Sequence, residues 1–572
     1  MSVSPPPSPD LTPGEALELC RQGRHMEAAE QLAQQIFTRP ADPEPRYWLY
    51  CALHGAGKVE QAAEVLTDAR NLQAALLLRR VGVDMARLKQ DRPYAAAVGE
   101  ALYGKRLMGA ASLALGHGLD LSQPQVATML QYGLSLQHQG RAQEAVDVFT
   151  AAGELFQKAD IAEFLIFALF HVPDGLRQVS QRSREWAARY ADPLSPPSTT
   201  FANPPADGRP LRVGYVGPSF TGSQVSQFLL PVLEAHDARA VKTFLYSSNA
   251  ETEPGLPEQA QKRSIAGLSD ERVAELVRED QIDLLIDVWG HTAGSRLGVF
   301  ARRPAPVQVA WINFVQTTGL KAMDYVIHAD SMAAPETEMH FVEEIWRIGE
   351  IMAPFRPLEG RPPQGPAPAL RNGHVTFGCF NNPAKLSDAT IAAWAAILRQ
   401  RPNDRLVLKY SYFTDPVLQR VTQARFAAHG ADPSQLEFRG ESRGADYLRE
   451  FQDIDLALDP SPCPGGTSTC DALSNGVPVL TLKGADFYSR IGLPGVIPTG
   501  VCELVADSWE DYVNRALDLT RSASDLDQLR RRVRQGFDNS AYRDEVGFTR
   551  RLEDTYREMF ARWAAGRTKS AA

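Results

Sequence analysis

The chain has 572 residues, a hydrophobic content of 44% and a formal net charge of −9, which is the composition of a globular protein with about three or four domains. The negative charge and the lack of a basic run argue against a nucleic-acid-binding protein, because such a protein needs a basic face. The six cysteines are scattered without C-x-x-C pairs, and no signal peptide or long apolar segment is evident, so we expect a soluble cytoplasmic protein without disulfides or a zinc site.

The first third of the chain is predicted to be a helical solenoid. Residues 1–11 are proline-rich and predicted to be disordered, whereas residues 12–192 have helical periodicity. One short motif recurs at Gly23, Gly57 and Gly140, with a degenerate copy at Gly104. In it, a glycine and a basic residue are followed by Glu or Gln and then by Ala. The first two glycines are 34 residues apart, the period of a tetratricopeptide unit. Such solenoids bind proteins or peptides on a concave face, and a packing spacer is the alternative.

The rest of the chain is predicted to be α/β. After a proline-rich linker at residues 193–210, short apolar runs alternate with helical segments, which is typical of parallel sheets wrapped by helices. The predicted strands of a first lobe, residues 211–370, are Leu211–Val216, Val241–Tyr246, Ile282–Val288 and Val307–Ile312. Those of a second lobe, residues 371–540, are Val375–Phe380, Leu406–Tyr410, Leu436–Arg439, Ile454–Leu458 and Val479–Leu482. Residues 541–572 are predicted to form a C-terminal helix and tail, and a ligand is expected between the lobes, beyond the strands' carboxyl ends.

A glycine-rich turn follows the predicted strand that ends at Leu458. It contains Gly465 and Gly466, and the hydroxyl residues Thr467, Ser468 and Thr469 come directly after them, at the start of a predicted helix. Backbone N–H groups and the positive end of the helix dipole would meet there, so the turn could bind a phosphate. The alternative is ordinary turn chemistry, because any turn from strand to helix favours Gly, Ser and Thr.

Lys385 lies in a second turn of this kind, in the segment Phe380–Lys385 between a predicted strand and a predicted helix. The helix dipole repels a cation at its N-terminus unless an anion lies between them. An anionic ligand is therefore the natural reason for this lysine, and a solvated surface lysine is the alternative.

Two stretches of the first lobe also follow predicted strands. In Asp287–Thr292, the side chain of His291 could serve as an acid, as a base or as a hydrogen-bond donor to a phosphate, and Asp287 is a second candidate. A structural histidine is the alternative. Thr317 and Thr318 offer hydroxyl and N–H groups toward the same cleft.

Three motifs resemble the catalytic region of the O-linked N-acetylglucosamine transferase and SPINDLY family. They are RPAPVQVAWINFVQTTGLKAMDYVI, VTFGCFNNPAKLSDATIAAWAAIL and LALDPSPCPGGTSTCDALSNGVPVLTLKG, at residues 303–327, 375–398 and 456–484. The resemblance covers residues 211–540 and implies a two-lobed GT-B glycosyltransferase behind tetratricopeptide repeats. It implies inverting, metal-independent transfer of a sugar from a nucleotide donor, which is a substrate and not a cofactor, to Ser or Thr of a protein held by the repeats. The FNN-x-x-K segment is most similar to the SPINDLY branch, which transfers fucose from a guanosine nucleotide.

The resemblance also assigns roles to individual residues. It implies that Lys385 neutralises the phosphates of the leaving group and that residues 467–469 donate hydrogen bonds to them. Asn382 is expected to hold the nucleotide sugar and Asp471 to contact the ribose. The other expected donor-binding residues are Asn381, Tyr447, Gly465 and Gly466. The physics agrees, because a fixed cation and helix N–H groups stabilise a departing phosphate without a metal.

Several positions depart from the family pattern. Ser223 and Gly466 stand where the family commonly has histidines, and Tyr447 replaces a third histidine near the nucleotide base. Gly444, next to Arg443, stands in place of a nearby lysine. These replacements are compatible with a different donor or with an inactive lobe. Bacterial flagellin O-glycosyltransferases, which use a CMP-activated nonulosonic acid, are the nearest role that the resemblance suggests.

The leading prediction is therefore a cytoplasmic protein O-glycosyltransferase with flagellin as a candidate acceptor. The main alternative is a tetratricopeptide adaptor with degenerate transferase lobes, although an inactive lobe has no use for Lys385. A free-sugar or lipid glycosyltransferase is the third reading. We expect no nucleic-acid partner, no membrane span and no metal.

Overall fold

The computed structural model describes residues 10–206, 208–248 and 253–570. The predicted disordered start therefore lies outside the described residues, apart from its last two positions. Within these ranges, no helix combines the length and the hydrophobicity that crossing a lipid bilayer requires.

The N-terminal region is helical, as predicted. Its helices are α1 (Pro13–Arg21), α2 (His25–Thr38), α3 (Glu44–Gly55), α4 (Val59–Arg80), α5 (Met85–Gln90), α6 (Arg92–Gly104), α7 (Met108–Gly118), α8 (Val126–Gln137), α9 (Ala142–Phe156), α10 (Ala159–Ala168) and α11 (Gly175–Trp186). Consecutive helices pack against one another, most extensively in the pairs α3/α4, α6/α7 and α8/α9.

The recurring glycines make the turns between paired helices. Gly23, Gly57 and Gly140 have φ angles of +75°, +76° and +74°, a left-handed conformation that favours glycine after a helix. The Ala five residues after each glycine is buried in the helix contact, at positions Ala28, Ala62 and Ala145. Between α6 and α7 the left-handed residue is Arg106, with φ +63°, so the degenerate copy of the motif still makes a similar turn.

The first lobe is built on a parallel sheet. Its elements are β1 (Leu211–Val216), α12 (Ser226–Ala235), β2 (Val241–Ser247), β3 (Gln261–Ser264), α13 (Asp270–Glu279), β4 (Leu284–Asp287), α14 (Leu297–Ala301), β5 (Val307–Ala310), β6 (Tyr325–His328), α15 (Pro335–Glu338) and β7 (Glu344–Arg347). The strand order is β3-β2-β1-β4-β5-β6-β7, and Val213 of β1 lies opposite Leu284 of β4.

The second lobe repeats this design. Its elements are α16 (Pro368–Asn372), β8 (Thr376–Cys379), α17 (Asp388–Gln400), β9 (Arg405–Lys409), α18 (Pro416–Ala428), β10 (Leu436–Arg439), α19 (Gly444–Glu450), β11 (Leu456–Leu458), α20 (Thr467–Ser474), β12 (Val479–Leu482), α21 (Leu493–Val496), β13 (Val505–Ala506), α22 (Trp509–Leu519) and α23 (Ala523–Asp538). The parallel strands follow the order β10-β9-β8-β11-β12-β13. The predicted lobe boundary at residue 370 falls inside α16, which is tied to this lobe because the Ala369 N–H donates to Asp455.

The last helix, α24 (Glu545–Ser570), returns to the first lobe. There Glu553 is 3.0 Å from His236 at the end of α12, and the hydroxyl groups of Tyr556 and Tyr215 are 3.3 Å apart. One buried apolar cluster runs through both sheets and this helix. The chain therefore crosses between the lobes twice, which fixes the two sheets to each other.

The helical repeats pack on both lobes. Apolar residues of α3 share a buried cluster with Val417 and Val421 of α18 in the second lobe. At the edge of this contact, Arg420 makes two hydrogen bonds with Glu44, of 2.7 and 2.9 Å. Trp186 of α11 joins a buried cluster with Phe300 of the first lobe. The repeats are thus part of the folded body and not a separate appendage.

Candidate active site

The strand order of the second sheet reverses between β8 and β11: earlier strands extend the sheet to one side and later strands to the other. These neighbouring strands pair in register, with Leu456 beside Phe377, while the chain after each strand continues to a different part of the sheet. In open parallel sheets, ligands bind beyond the carboxyl ends of strands at such a switch point. The Lys385 turn follows β8 and the glycine-rich turn follows β11, so the topology brings the two predicted anion-binding turns together.

Lys385 contacts the glycine-rich turn directly. Its ammonium donates a 2.8 Å hydrogen bond to the Pro464 carbonyl oxygen and a long 3.5 Å bond to the Asn381 side chain. Asn381 in turn accepts a 2.9 Å hydrogen bond from the Ser468 hydroxyl. A half-buried cation is thereby held beside the first residues of α20.

The start of α20 faces a cleft between the lobes. The helix begins after Gly466, and no side chain caps it. The cleft is lined by Gln224 and Asn313 from the first lobe and by Lys385 and Thr467 from the second. Uncapped helix N–H groups and a nearby cation form a site that suits a phosphate.

Asp459 lies beneath this turn. Its carboxylate accepts hydrogen bonds from the Gly465 N–H at 2.7 Å and from the Thr481 hydroxyl at 3.0 Å. Burial raises the pKa of Asp459 to about 7, against opposing effects of these hydrogen bonds and of Lys385. Asp459 therefore holds the glycine turn in place, a role that the sequence indicated only as the end of an apolar run.

Asp471 links the two lobes. One carboxylate oxygen accepts a 3.2 Å hydrogen bond from Gln227 of α12, and the other accepts a 3.0 Å bond from the Tyr447 hydroxyl. Burial raises the pKa of Asp471 to about 6. A second, much smaller cavity lies next to this group and is lined by Phe380, Phe451 and residues of β11 and α20.

Comparison with known proteins decides the family. The protein-family model described as "Glycosyl transferase family 41" matches residues 194–349 and 367–552 of the chain. The chain belongs to glycosyl transferase family 41. This match covers both lobes and the two turns that form the cleft, so family membership extends to the candidate active site.

Named relatives of this family 41 chain include plant proteins. It is 36% identical over 412 residues to the SPINDLY protein of Oryza sativa subsp. japonica, named a probable UDP-N-acetylglucosamine–peptide N-acetylglucosaminyltransferase, covering 70% of this chain and 44% of the relative. It is 25% identical over 367 residues to the SEC protein of Arabidopsis thaliana, covering 61% of this chain and 37% of the relative. The chain thus spans less than half the length of these relatives.

A solved structure matches almost the whole chain. A mutant of the Thermobaculum terrenum O-GlcNAc transferase is 29% identical to it, with a TM-score of 0.78, and the match covers 93% of this chain and 99% of that structure. The predicted architecture, a helical region followed by two Rossmann-like lobes of the GT-B type, is confirmed.

The prediction that His291 and Asp287 are catalytic groups is wrong, because both side chains are buried away from the cleft. The His291 ring is fully buried between Trp186 and Phe314. It donates from Nε2 to the Thr318 carbonyl at 2.8 Å, and its Nδ1 is 3.3 Å from Glu163 of the repeats.

Asp287 closes its own turn by accepting hydrogen bonds from the N–H groups of Trp289 and Gly290, at 3.1 and 2.9 Å. Its side chain is 3% exposed, and burial raises its pKa to about 7. Both residues fasten the first lobe, and neither lines the cleft.

Thr317 and Thr318 also lie away from the donor cleft, contrary to prediction. Both are fully buried. The Thr317 hydroxyl donates to Glu343 at 2.6 Å, and the Thr318 N–H donates to the same carboxylate at 2.7 Å. Gly319, with φ +77°, packs directly on the backbone of Ser183 from the repeats. These threonines are therefore fastened inside the first lobe, and the neighbouring Gly319 is the residue that contacts the repeats.

The Asn382 side chain is engaged within its own turn. Its side chain accepts a 3.0 Å hydrogen bond from the Ala384 N–H and so caps the short turn Pro383–Lys385. It also hydrogen-bonds the buried ring of His138 from the repeats. Asn382 shapes the Lys385 turn from behind, whereas its neighbour Asn381 lines the smaller cavity.

The positions that depart from the family pattern lie close to the cleft. Ser223 is next to Gln224, whose carbonyl accepts a 3.5 Å hydrogen bond from Thr467 across the lobes. At Gly466, a Cβ atom would meet nothing nearer than the Ile491 side chain at 4.0 Å, and the backbone φ is −108°. A side chain would fit there, so the glycine leaves open space in the cleft.

Proposed function

We propose that this protein is an inverting protein O-glycosyltransferase. The acceptor hydroxyl attacks the anomeric carbon of a nucleotide sugar, a new C–O bond forms, and the bond to phosphate breaks with its electron pair leaving on the nucleotide. The hydroxyl proton leaves to a base or to water. The convergence of Lys385 on the uncapped start of α20 carries this proposal, because negative charge develops there as the nucleotide departs.

The donor is proposed to lie in the cleft between the lobes. Its phosphates would sit between Lys385 and residues 466–469, where the N–H groups of α20 point. The Thr469 hydroxyl is buried and has no hydrogen-bond partner in the described part of the chain, and it lines the smaller cavity with Phe380 and Phe451. An unpaired buried hydroxyl beside the cleft suits a ligand that carries hydrogen-bonding groups.

The sugar is proposed by similarity to be N-acetylglucosamine carried by UDP, because the rice and Arabidopsis relatives are named for that reaction. A second candidate is a different donor, such as a CMP-activated nonulosonic acid transferred to flagellin. The open space at Gly466 favours it, because a cleft that lacks a side chain there can accept a bulkier sugar.

The acceptor is proposed to be a protein held by the helical repeats. The repeats pack on both lobes beside the Lys385 turn, as the hydrogen bond between His138 and Asn382 shows. A polypeptide bound along them would pass near the cleft. The adaptor alternative is weaker, because it leaves a half-buried lysine beside an uncapped helix start without a purpose.

Intact-mass analysis of candidate acceptor proteins tests this function. Each acceptor is coexpressed with wild type, with Lys385→Ala or with the control Lys483→Ala, whose side chain is 48% exposed at the end of β12. We expect the mass of one sugar to be added by wild type and by the control, and not by Lys385→Ala. Equal mass gain with Lys385→Ala would contradict the proposal, and no gain with any donor supply would favour the adaptor.

A further inference from the structure

A separate group of polar side chains lies where the repeats meet the second lobe. His54 is in the last turn of α3, Asp388 is in the first turn of α17, and His429 directly follows α18. One ligand atom from each residue lies within 4.8 Å of the other two. The proposed glycosyl transfer does not use these residues.

The spacing of the group is close to that of a metal site. The His429 Nε2 atom is 3.3 Å from an Asp388 carboxylate oxygen, and the rings of His54 and His429 meet edge to face with centroids 4.9 Å apart. Donors that bind one tetrahedral Zn²⁺ at about 2.0–2.1 Å are roughly 3.3 Å from each other. Asp388 and His429 already have this separation. The Asp388 side chain is 60% exposed, so it can turn to bring its oxygen within reach of His54.

The surroundings prepare His54 to act as a ligand. Its ring hydrogen-bonds the Ala428 carbonyl, which fixes one nitrogen as the donor and leaves the other as an acceptor, the arrangement usual for metal-binding histidines.

One cation competes for the carboxylate. The Arg425 guanidinium is 4.0 Å from Asp388, at the outer limit for an ion pair, and it donates a 3.0 Å hydrogen bond to the Leu386 carbonyl instead. Asp388 therefore keeps lone pairs for a metal ion.

We propose that His54, Asp388 and His429 bind one divalent transition-metal ion, with Zn²⁺ as the best fit to two imidazoles and one carboxylate. Water would complete the coordination. Because His54 belongs to the repeats and the other two residues to the second lobe, the ion clamps these parts together. Asp388 is three positions after Lys385, so the clamp also steadies the turn that carries the lysine. The sequence analysis predicts no metal site, because these three residues are far apart in the chain and form no local ligand pattern.

Zn²⁺ titration of the full-length chain, first treated with a chelator and dialysed, tests the proposal. We expect one Zn²⁺ per chain with a Kd of about 10 µM or lower, no binding of Mg²⁺ under the same conditions, and a rise in Tm of about 2 °C or more at saturation. His54→Ala and His429→Ala should each weaken Zn²⁺ binding at least about tenfold and remove the rise in Tm. His117→Ala, a change in helix α7 of the repeats, is the control and should bind like wild type.

Asp388→Asn keeps the test decisive if a histidine variant does not fold, because this side chain is largely exposed and its loss leaves the helix contacts intact. It should also weaken Zn²⁺ binding at least about tenfold. Wild type that binds no Zn²⁺ at 100 µM (about ten times the expected Kd) would overturn the proposal. Binding that is unchanged in Asp388→Asn would do the same, and the three side chains would then be an ion pair and a ring contact between domains.

Discussion

The Lys385 ammonium donates a 2.8 Å hydrogen bond to the Pro464 carbonyl oxygen. An ammonium has three donors, and a second one makes only a long 3.5 Å contact with Asn381. Among the described residues, no carboxylate lies within ion-pair distance of this lysine, although Asp459 acts on it electrostatically. Lys385 is therefore pinned to the turn before α20 with its charge available to an anionic ligand.

Replacing Lys385 with Met should remove most of the transfer activity. Met has a similar length but no charge, so the departing phosphate loses its fixed cation. We expect kcat to fall roughly 100- to 1000-fold, the usual effect of removing one group that stabilises charge in the transition state. Initial rates of sugar transfer measure this. Lys483→Met serves as the control, and a Lys385→Met rate within about threefold of wild type would contradict the role.

A histidine at Gly466 should be accommodated. The position has open space and a negative φ angle, so Gly466→His should shift Tm only slightly while adding a donor to the cleft. We expect nucleotide binding to tighten by roughly tenfold, the effect of about one charge-assisted hydrogen bond. Isothermal titration with the preferred nucleotide measures the change.

Gly465→His is the matched comparison for that experiment. A Cβ atom at Gly465 would lie 2.5 Å from the Thr469 hydroxyl and 3.2 Å from Asp459, so this variant should lose both stability and nucleotide binding. Equal losses of stability and nucleotide binding in Gly466→His and Gly465→His would show that the cleft cannot accommodate a side chain at Gly466.

Arg420 should stabilise the contact between the repeats and the second lobe. Its guanidinium bonds Glu44 in a bidentate manner and lies 4.5 Å from the centre of the Tyr47 ring. Because Glu44 is 44% exposed, Arg420→Ala should cost only about 1–2 kcal/mol of unfolding free energy.

Urea denaturation followed by tryptophan fluorescence measures this cost, since Trp48 lies in the same contact. Arg443→Ala, at a side chain that is 82% exposed, should change stability by less than about 0.5 kcal/mol. An equal effect of the two substitutions would argue against a firm contact.

The buried carboxyl of Asp459 should make stability depend on pH. Its pKa is raised from 3.8 in the unfolded chain to about 7 in the folded one, so the folded state binds more protons between these values. Its contribution to stability is present below about pH 4 and is lost as pH rises through 7. Asp459→Asn cannot ionise, so its Tm relative to wild type should be higher at pH 8 than at pH 5.

The thermal unfolding of both proteins across this range gives the result, because the other buried carboxyls cancel in the comparison. Asp518→Asn, at an exposed position of α22, controls for a general change in charge. A Tm difference between Asp459→Asn and wild type that stays constant with pH would contradict the assignment.

Much of the fold could be predicted from sequence because it depends on local patterns. The runs at residues 211–216 and 479–482 match β1 and β12 residue for residue, since largely apolar runs are typical of buried parallel strands. The run at residues 436–439 also matches β10, where apolar and charged residues alternate in an edge strand. Strand β3, with the sequence Gln-Lys-Arg-Ser, was missed because it lies at the sheet edge, where its polar side chains are partly exposed. The glycine motif located helix turns because each glycine adopts a left-handed conformation.

The site was predicted only where it depends on local turn chemistry. Lys385 and the start of α20 each follow a strand, and the sheet topology brings them together. His291 also follows a strand, but the repeats cover it through Glu163, a partner 128 residues away. No local pattern reveals such a cover. Gln227 was missed for the same reason, since its partner Asp471 is 244 residues away.

The most direct test of the central claim is the Tm of the full chain with UDP, GDP or CMP and with the matching phosphate-free nucleosides, in wild type and Lys385→Met. Preferential binding to the native state must raise Tm. We predict that at least one nucleotide raises the Tm of wild type, that its nucleoside does not, and that Lys385→Met loses most of this rise. A rise of the same size in Lys385→Met, or no rise with any of the three nucleotides, would contradict the claim that Lys385 and α20 hold the phosphate of the donor.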